Sequence, residues 1–182
     1  APVAGTVVKI HAAEGDTVTV GAILAEIQPA DAESAQANGG SGNGAAPAAP
    51  VEEAGTEGEI IDFAFRYDPQ PFHLDANAAA ESPYGGLIAS GFQSIAVCFR
   101  LFIQSGIFAE SSIGSPGLDE LRWLAPVRPG DTLHSVVEVL EVRPSSSKPD
   151  RGIARLRYSA INQRGETVLS FIGNNMLKRR PA

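Results

Sequence analysis

From Gly91 the chain reads GFQSIAVCFRLFIQS, with apolar side chains at Phe92, Ile95, Ala96, Val97, Cys98, Phe99, Leu101, Phe102 and Ile103. Apolar positions on nearly every side predict a helix over 91–105 that other elements must wrap, ended at Gly106. Beyond it the period changes from helical to two. TLHSVVEVLEV sets Leu133, Val137 and Val139 on one face and His134 and Glu138 on the other, and GIARLRYSAI sets Ala154, Leu156 and Tyr158 against Arg155 and Arg157. GLDELRWLAPV reads as extended up to the Pro129–Gly130 turn, and TVLSFIGNNML closes the chain after the turn at NQRGE. Four long antiparallel strands following one buried helix predict an α+β fold in which a sheet curls around a helix.

Upstream, local signals set short elements. Thr56 and Glu59 have capping-box spacing ahead of IIDFAF, so a short helix starts there, weakened by Gly58. In YDPQPFHLD, Pro69 and Pro71 fix their own φ and bias the residues before them toward extended backbone. The expectation is a rigid, non-helical loop from Asp68 to His73 that can aim a carboxylate and an imidazole at one point. An ordinary connector fits the same local pattern, with Asp75 capping a small helix at 76–81. SPYGG then breaks the chain.

The front of the chain has a different character. Val3, Thr6–Ile10, Thr17–Val20 and Ile23–Ile27 alternate in strand fashion between turn residues, predicting four short strands. APVAGTVVKIHAAEGDTVTVGAILAEI resembles one half of a biotinyl/lipoyl carrier domain. Such carriers present a modified lysine on a hairpin tip between two halves. No second half or MKM-type tip is present, and Lys9 sits inside a strand-like run, so no lipoyl or biotin attachment is expected. About 28 residues are also too few for a self-sufficient core. Residues 29–55, rich in Ala, Pro, Gly and Ser, read as a flexible linker. The expected organisation is therefore a carrier-like half domain at 1–28, a linker at 29–55 and a main domain at 56–182.

Composition narrows the function classes. The chain has 182 residues, 43% of them hydrophobic, with no apolar run of bilayer length and no secretion-signal pattern at the start. A single cysteine, Cys98, excludes an internal disulfide framework and a cysteine-based zinc site, and its place in an apolar run makes it a core residue. A reducing cytoplasm fits these features. The net charge of −7 divides into −8 for residues 1–66 and +1 for the remainder, which argues against a nucleic-acid partner for the front. No metal-ligand spacing and no Gly-x-Ser-x-Gly elbow occur, and His11 and His134 lie in no motif.

Three stretches in order, EIIDFAFRYDPQPFHLDANAAAESPYGGLIASGFQ, GSPGLDELRWLAPVRPGDTL and SKPDRGIARLRYSAINQRGE, resemble the MaoC-type acyl dehydratases and their relatives, the (R)-specific enoyl-CoA hydratases. The hydratase motif Asp-x-Asn-Pro-aliphatic-His is matched at Asp68, Pro71 and His73, with Gln70 where Asn is usual and Phe72 where an aliphatic residue is usual. The resemblance implies a hot-dog fold and a hydro-lyase acting on an acyl-CoA thioester, with Asp68 and His73 gripping and activating one water. It also implies that a backbone N–H at the start of the central helix, here Gly91, receives the thioester oxygen. Lys148 and Arg151 are candidates for the coenzyme A phosphates, solvated loop charges being the alternative. The family further implies a homodimer, and no metal and no resident cofactor are expected from the residues present. A hot-dog thioesterase and a non-catalytic acyl-binding module are the rival readings. Members of the family normally begin with a strand that the linker displaces here. Either the front strands stand in for it, or the sheet has an open edge.

Overall fold

The protein is described as a computed structural model, which covers residues 5–10, 23–29 and 52–179. Its elements in order are β1 (Gly5–Ile10), β2 (Ile23–Pro29), β3 (Glu52–Glu53), α1 (Glu57–Tyr67), α2 (Pro71–Leu74), α3 (Ala76–Glu81), α4 (Gly91–Gln104), β4 (Ser112–Gly114), β5 (Leu118–Trp123), β6 (Thr132–Pro144), β7 (Arg151–Asn162) and β8 (Thr167–Lys178). The strands form one antiparallel sheet in the order β1-β2-β6-β7-β8-β4, with β3 also on β6 and β5 also on β8. Helix α4 packs on β6 and β7, and the expected α+β hot-dog arrangement is present.

The alternation read from the sequence places the core. On β6 the buried side chains Leu133, Ser135, Val137 and Val139 take every second position, and on β7 Ala154, Leu156, Tyr158 and Ala160 do the same. Their register is direct, Val137 opposite Tyr158 and Val139 opposite Leu156. The ring of Tyr158 stacks on Phe171 of β8 at 4.8 Å and meets Phe102 of α4 edge-on at 5.2 Å. Burying side chains of this size stabilises the fold by about 1.5–3 kcal/mol each. Cys98 is buried among them, its thiol 3.5 Å from Ser135 Oγ.

Three expectations change, and a fourth, left open, is resolved. First, among the described residues α4 is packed on one side, for Phe92, Phe99 and Ile103 are 58%, 40% and 45% exposed. An apolar circumference shows that a helix wants cover all round; it does not say that its own chain supplies it. Second, His73 lies in a helical turn, not in a non-helical loop. Pro71 occupies the first helical position of α2, where its missing N–H costs no hydrogen bond and its fixed φ suits the helix. Third, the linker range contains structure at both ends: β2 runs to Pro29, and Glu52–Glu53 pairs with Thr132–Leu133 while Ala54 is buried. Fourth, β2 pairs with β6 through Glu26–Val136, Ala25–Val137 and Ile23–Glu138, with β1 outside it, so of the two alternatives a front strand stands beside β6 in the place of the family's first strand. The strands expected around Val3 and at 17–20, and His11, lie outside the described residues.

Three features position the site. The capping box at Thr56 is formed reciprocally: its Oγ1 accepts the Glu59 N–H at 3.3 Å, and Glu59 Oε2 accepts the Thr56 N–H at 2.8 Å. The segment between β5 and β6 crosses the start of α4, tied down by Leu124 N–H to Val168 O and Ala89 N–H to Val127 O, both 2.8 Å. Buried Asp131 then fixes the turn into β6, accepting from Gln163 Nε2 at 2.7 Å and from the Arg164 guanidinium and the Arg128 N–H at 2.9 Å.

Candidate active site

Asp68 is the residue that ends α1. Its backbone leaves the helix at φ −154°, while its N–H still bonds Ala64 O at 2.8 Å. The chain then folds back at once: Gln70 N–H reaches Asp68 O at 2.7 Å, Gln70 is extended at ψ 144° as a residue before proline must be, and Pro71 starts the single turn of α2. That turn brings His73 back over the end of α1. The Nε2 of His73 stands 3.3 Å from Asp68 Oδ2, with the two side chains 5% and 15% exposed.

Each group is held from a second direction. His73 Nδ1 lies 2.8 Å from the Ile88 carbonyl, which can only accept, so Nδ1 carries the proton and Nε2 is the nitrogen offered to Asp68 and the cleft. Asp68 Oδ1 accepts from Gln70 Nε2 at 2.8 Å, and Oδ2 accepts from Ser90 Oγ at 2.7 Å. Burial alone pushes the Asp68 carboxyl up, but the Gln70 and Ser90 hydrogen bonds and the neighbouring His73 outweigh it and hold the group below the usual carboxylate range. Asp68 is accordingly an ionised acceptor.

The pair opens into a cleft of about 500 Å³ lined also by Phe72, Tyr84, Gly91, Trp123 and Pro126. That is a size suited to a small ligand. Gly91 is the first residue of α4 and Ser90 its N-cap, whose Oγ accepts the Phe92 N–H at 3.2 Å. The first N–H groups of a helix have no partner within it, so this end is a place for a developing negative charge. A water oxygen about 2.8 Å from both Asp68 Oδ2 and His73 Nε2 is geometrically allowed by their separation. Chemically, such a pair can hold a water by one hydrogen and take the other.

The structure thus brings together Asp68, His73 and Gly91. It does not bring Lys148 and Arg151 to this cleft. Lys148 sits in the turn joining β6 to β7 and Arg151 begins β7, registered opposite Lys178 at the far end of β8. Leu124, which lines the cleft, bonds Val168 at the near end of β8, roughly 30 Å away along the strand. The Arg151 guanidinium grips Asp150 through Nε at 2.9 Å and a terminal nitrogen at 2.7 Å. Cys98, read as core, is buried away from solvent, which pushes its thiol up to about 11 against the lowering effect of Ser135. Two contributors escaped the sequence reading: Ser90, which directly precedes Gly91 and was given no role, and Trp123, which carried no motif of its own.

Residues 40–158 match the MaoC like domain. The chain belongs to the MaoC-like domain family. Among its relatives, the Bacillus subtilis protein YdeM is 32% identical over 121 residues, covering 66% of this chain and 84% of that protein. The crystal structure of a MaoC-like dehydratase from Rhodospirillum rubrum superposes with a TM-score of 0.67 at 42% identity, covering 72% of this chain and 89% of that one. The (R)-hydratase from A. caviae involved in PHA biosynthesis superposes with a TM-score of 0.55 at 26% identity, covering 71% and 91%. Against three further curated relatives the chain spans less than half of their length. For a MaoC-like domain, a hydratase or dehydratase site is the class of chemistry that the family supports.

Proposed function

We propose that this MaoC-like protein is a hydro-lyase that reversibly adds water across the double bond of an enoyl-CoA thioester. The observation that carries the reading is the approach of Asp68 Oδ2 to His73 Nε2, 3.3 Å, in a cleft that also contains the start of α4.

The steps are set by the fixed tautomer. Asp68, ionised, accepts a hydrogen bond from one hydrogen of the water, and Nε2 of His73, in its unprotonated form, takes the other as the oxygen forms its bond to the β carbon of the substrate. The π electrons move toward the α carbon and the thioester oxygen, whose charge meets the Gly91 N–H. The imidazolium so formed is stabilised by the Asp68 carboxylate. It then returns the proton from Nε2 to the α carbon, so one water is consumed, both its hydrogens are accounted for, and the addition is to one face. Proton transfer and charge stabilisation suffice, and the reading includes no resident cofactor.

The likeness to an (R)-hydratase supports this reaction class over thioester cleavage. The reading also takes the protein to be cytoplasmic and a homodimer, the dimer supported by the exposed apolar side chains of α4. Lys148 and Arg151 could then meet the coenzyme A phosphates only from a second copy, since their own hairpin is at the far end of the sheet.

The test is a spectrophotometric assay with crotonyl-CoA. Loss of the enoyl absorbance without thiol release is expected, and His73→Gln should slow it by about 10²–10⁴-fold while thermal unfolding stays close to wild type. Thiol release with the enoyl absorbance intact would replace the reading with a thioesterase, and no turnover of any enoyl-CoA would leave an acyl-binding module.

A further inference from the structure

Gly91 raises a question that its place at a helix start does not answer. It is not among the glycines with positive φ, so its backbone conformation is open to any residue. What demands glycine is space. A Cβ on Gly91 would stand 2.4 Å from Trp123 Nε1, 2.5 Å from Cε2 and 2.9 Å from Cζ2. The nitrogen edge of the indole therefore lies on the very residue whose N–H faces the developing charge during hydration.

We propose that the Trp123 indole N–H is a second donor to the thioester carbonyl oxygen, acting beside the Gly91 N–H. The proposal rests on the hydro-lyase reading and adds a catalytic side chain to it. Trp123 ends β5, where it is registered against Leu169 of β8, and its ring meets Phe92 edge-on at 6.4 Å, so strand and helix both restrain it. It lines the same cleft as Asp68 and His73 and is 51% exposed. An indole nitrogen donates and cannot accept, which suits a carbonyl oxygen and no electrophile. The first turn of α4 also has fewer amides to offer than its geometry suggests, because Ser90 Oγ already takes the Phe92 N–H. A side-chain donor makes good that loss where negative charge builds, and it is preorganised by its packing.

The test uses the only tryptophan in the chain. The full-length wild-type protein, labelled with nitrogen-15, should show one indole N–H resonance. Butyryl-CoA, a saturated thioester, should move it downfield as a new hydrogen bond forms. S-butyl-CoA, the thioether without the carbonyl oxygen, should occupy the same cleft and leave the downfield shift absent. Trp123→Phe, which retains a ring against Phe92, should lower kcat for crotonyl-CoA by about 10²-fold with KM changed by less than about threefold. Equal shifts with thioester and thioether, or wild-type kcat in Trp123→Phe, would overturn the donor role. The two layers separate cleanly. A thioester-specific shift without any hydration would sink the hydro-lyase and keep the donor, whereas hydration with a stationary indole resonance would do the reverse. Should Trp123→Phe fail to fold, the resonance of the wild-type protein still decides.

Discussion

Replacing Ser90 by alanine tests how the acid of the pair is held. The Ser90 side chain is fully buried and does two things with one oxygen: it donates to Asp68 Oδ2 at 2.7 Å and accepts the Phe92 N–H at 3.2 Å. Loss of an N-cap costs about 1 kcal/mol, and loss of a hydrogen bond to a charged group about 1.5–3 kcal/mol. Ser90→Ala should therefore lower stability by about 3 kcal/mol in urea unfolding at neutral pH, seen as a lower midpoint at unchanged slope. The two parts can be separated by a double-mutant cycle. In an Asp68→Ala background the same substitution should cost only the cap, about 1 kcal/mol. The pH dependence has a definite sign. The folded-state pKa of Asp68 lies below its unfolded value, so its contribution is present above the unfolded pKa and is lost as pH falls through the folded one. The gap between wild type and Ser90→Ala should accordingly narrow below about pH 4. Equal costs of Ser90→Ala in both backgrounds, together with a gap that stays constant into acid, would refute the view that Ser90 holds an ionised Asp68.

Two shorter tests address the core. Cys98 is fully buried with its thiol pushed up to about 11, so iodoacetamide should label it only at the rate of unfolding, accelerating across the urea transition; rapid labelling in native buffer would contradict that placement. Tyr158→Phe removes the hydroxyl that donates to Asn175 Oδ1 at 3.2 Å while keeping the stacked ring, and should cost about 1 kcal/mol by the same unfolding assay; a loss as large as that from deleting the ring would mean that packing around Phe171 depends on the hydroxyl.

The parts of the fold that could be read from the sequence are those whose cause is local. Thr56 and Glu59 are three residues apart and Asp75 caps the amides two and three residues on, so spacing alone carries the signal. The faces of β6 and β7 are equally legible, because period two is a property of the strand itself. What spacing could not carry is any contact between distant segments. Ser90 reaches Asp68 across 22 positions. Trp123 rests on Gly91 from another element altogether, and the edge of β6 is divided between β2 and β3, which are separated by more than 20 residues. The prolines misled for a different reason. Pro69 keeps α1 from continuing past Asp68, while Pro71, two residues on, permits helix after itself and begins α2.

The two prolines, one ending α1 and the other beginning α2, explain why the acid and base can be set so closely. Asp68 terminates one helix, His73 lies in the next, and between them a 2.7 Å bond from Gln70 N–H to Asp68 O and two prolines leave the chain little freedom. The distance between the two side chains is thus a local property of six residues. Their aim is not. His73 is oriented by the carbonyl of Ile88, and Asp68 by the hydroxyl of Ser90, which also caps α4 beside Gly91. The segment from Ile88 to Gly91 therefore orients base, acid and the proposed oxygen-binding amide together, and a displacement of the start of α4 must disturb all three at once. Activity should for that reason be more sensitive than stability to substitutions in this four-residue stretch, since a small shift leaves the core packing of Leu101 and Phe102 farther along α4 largely in place.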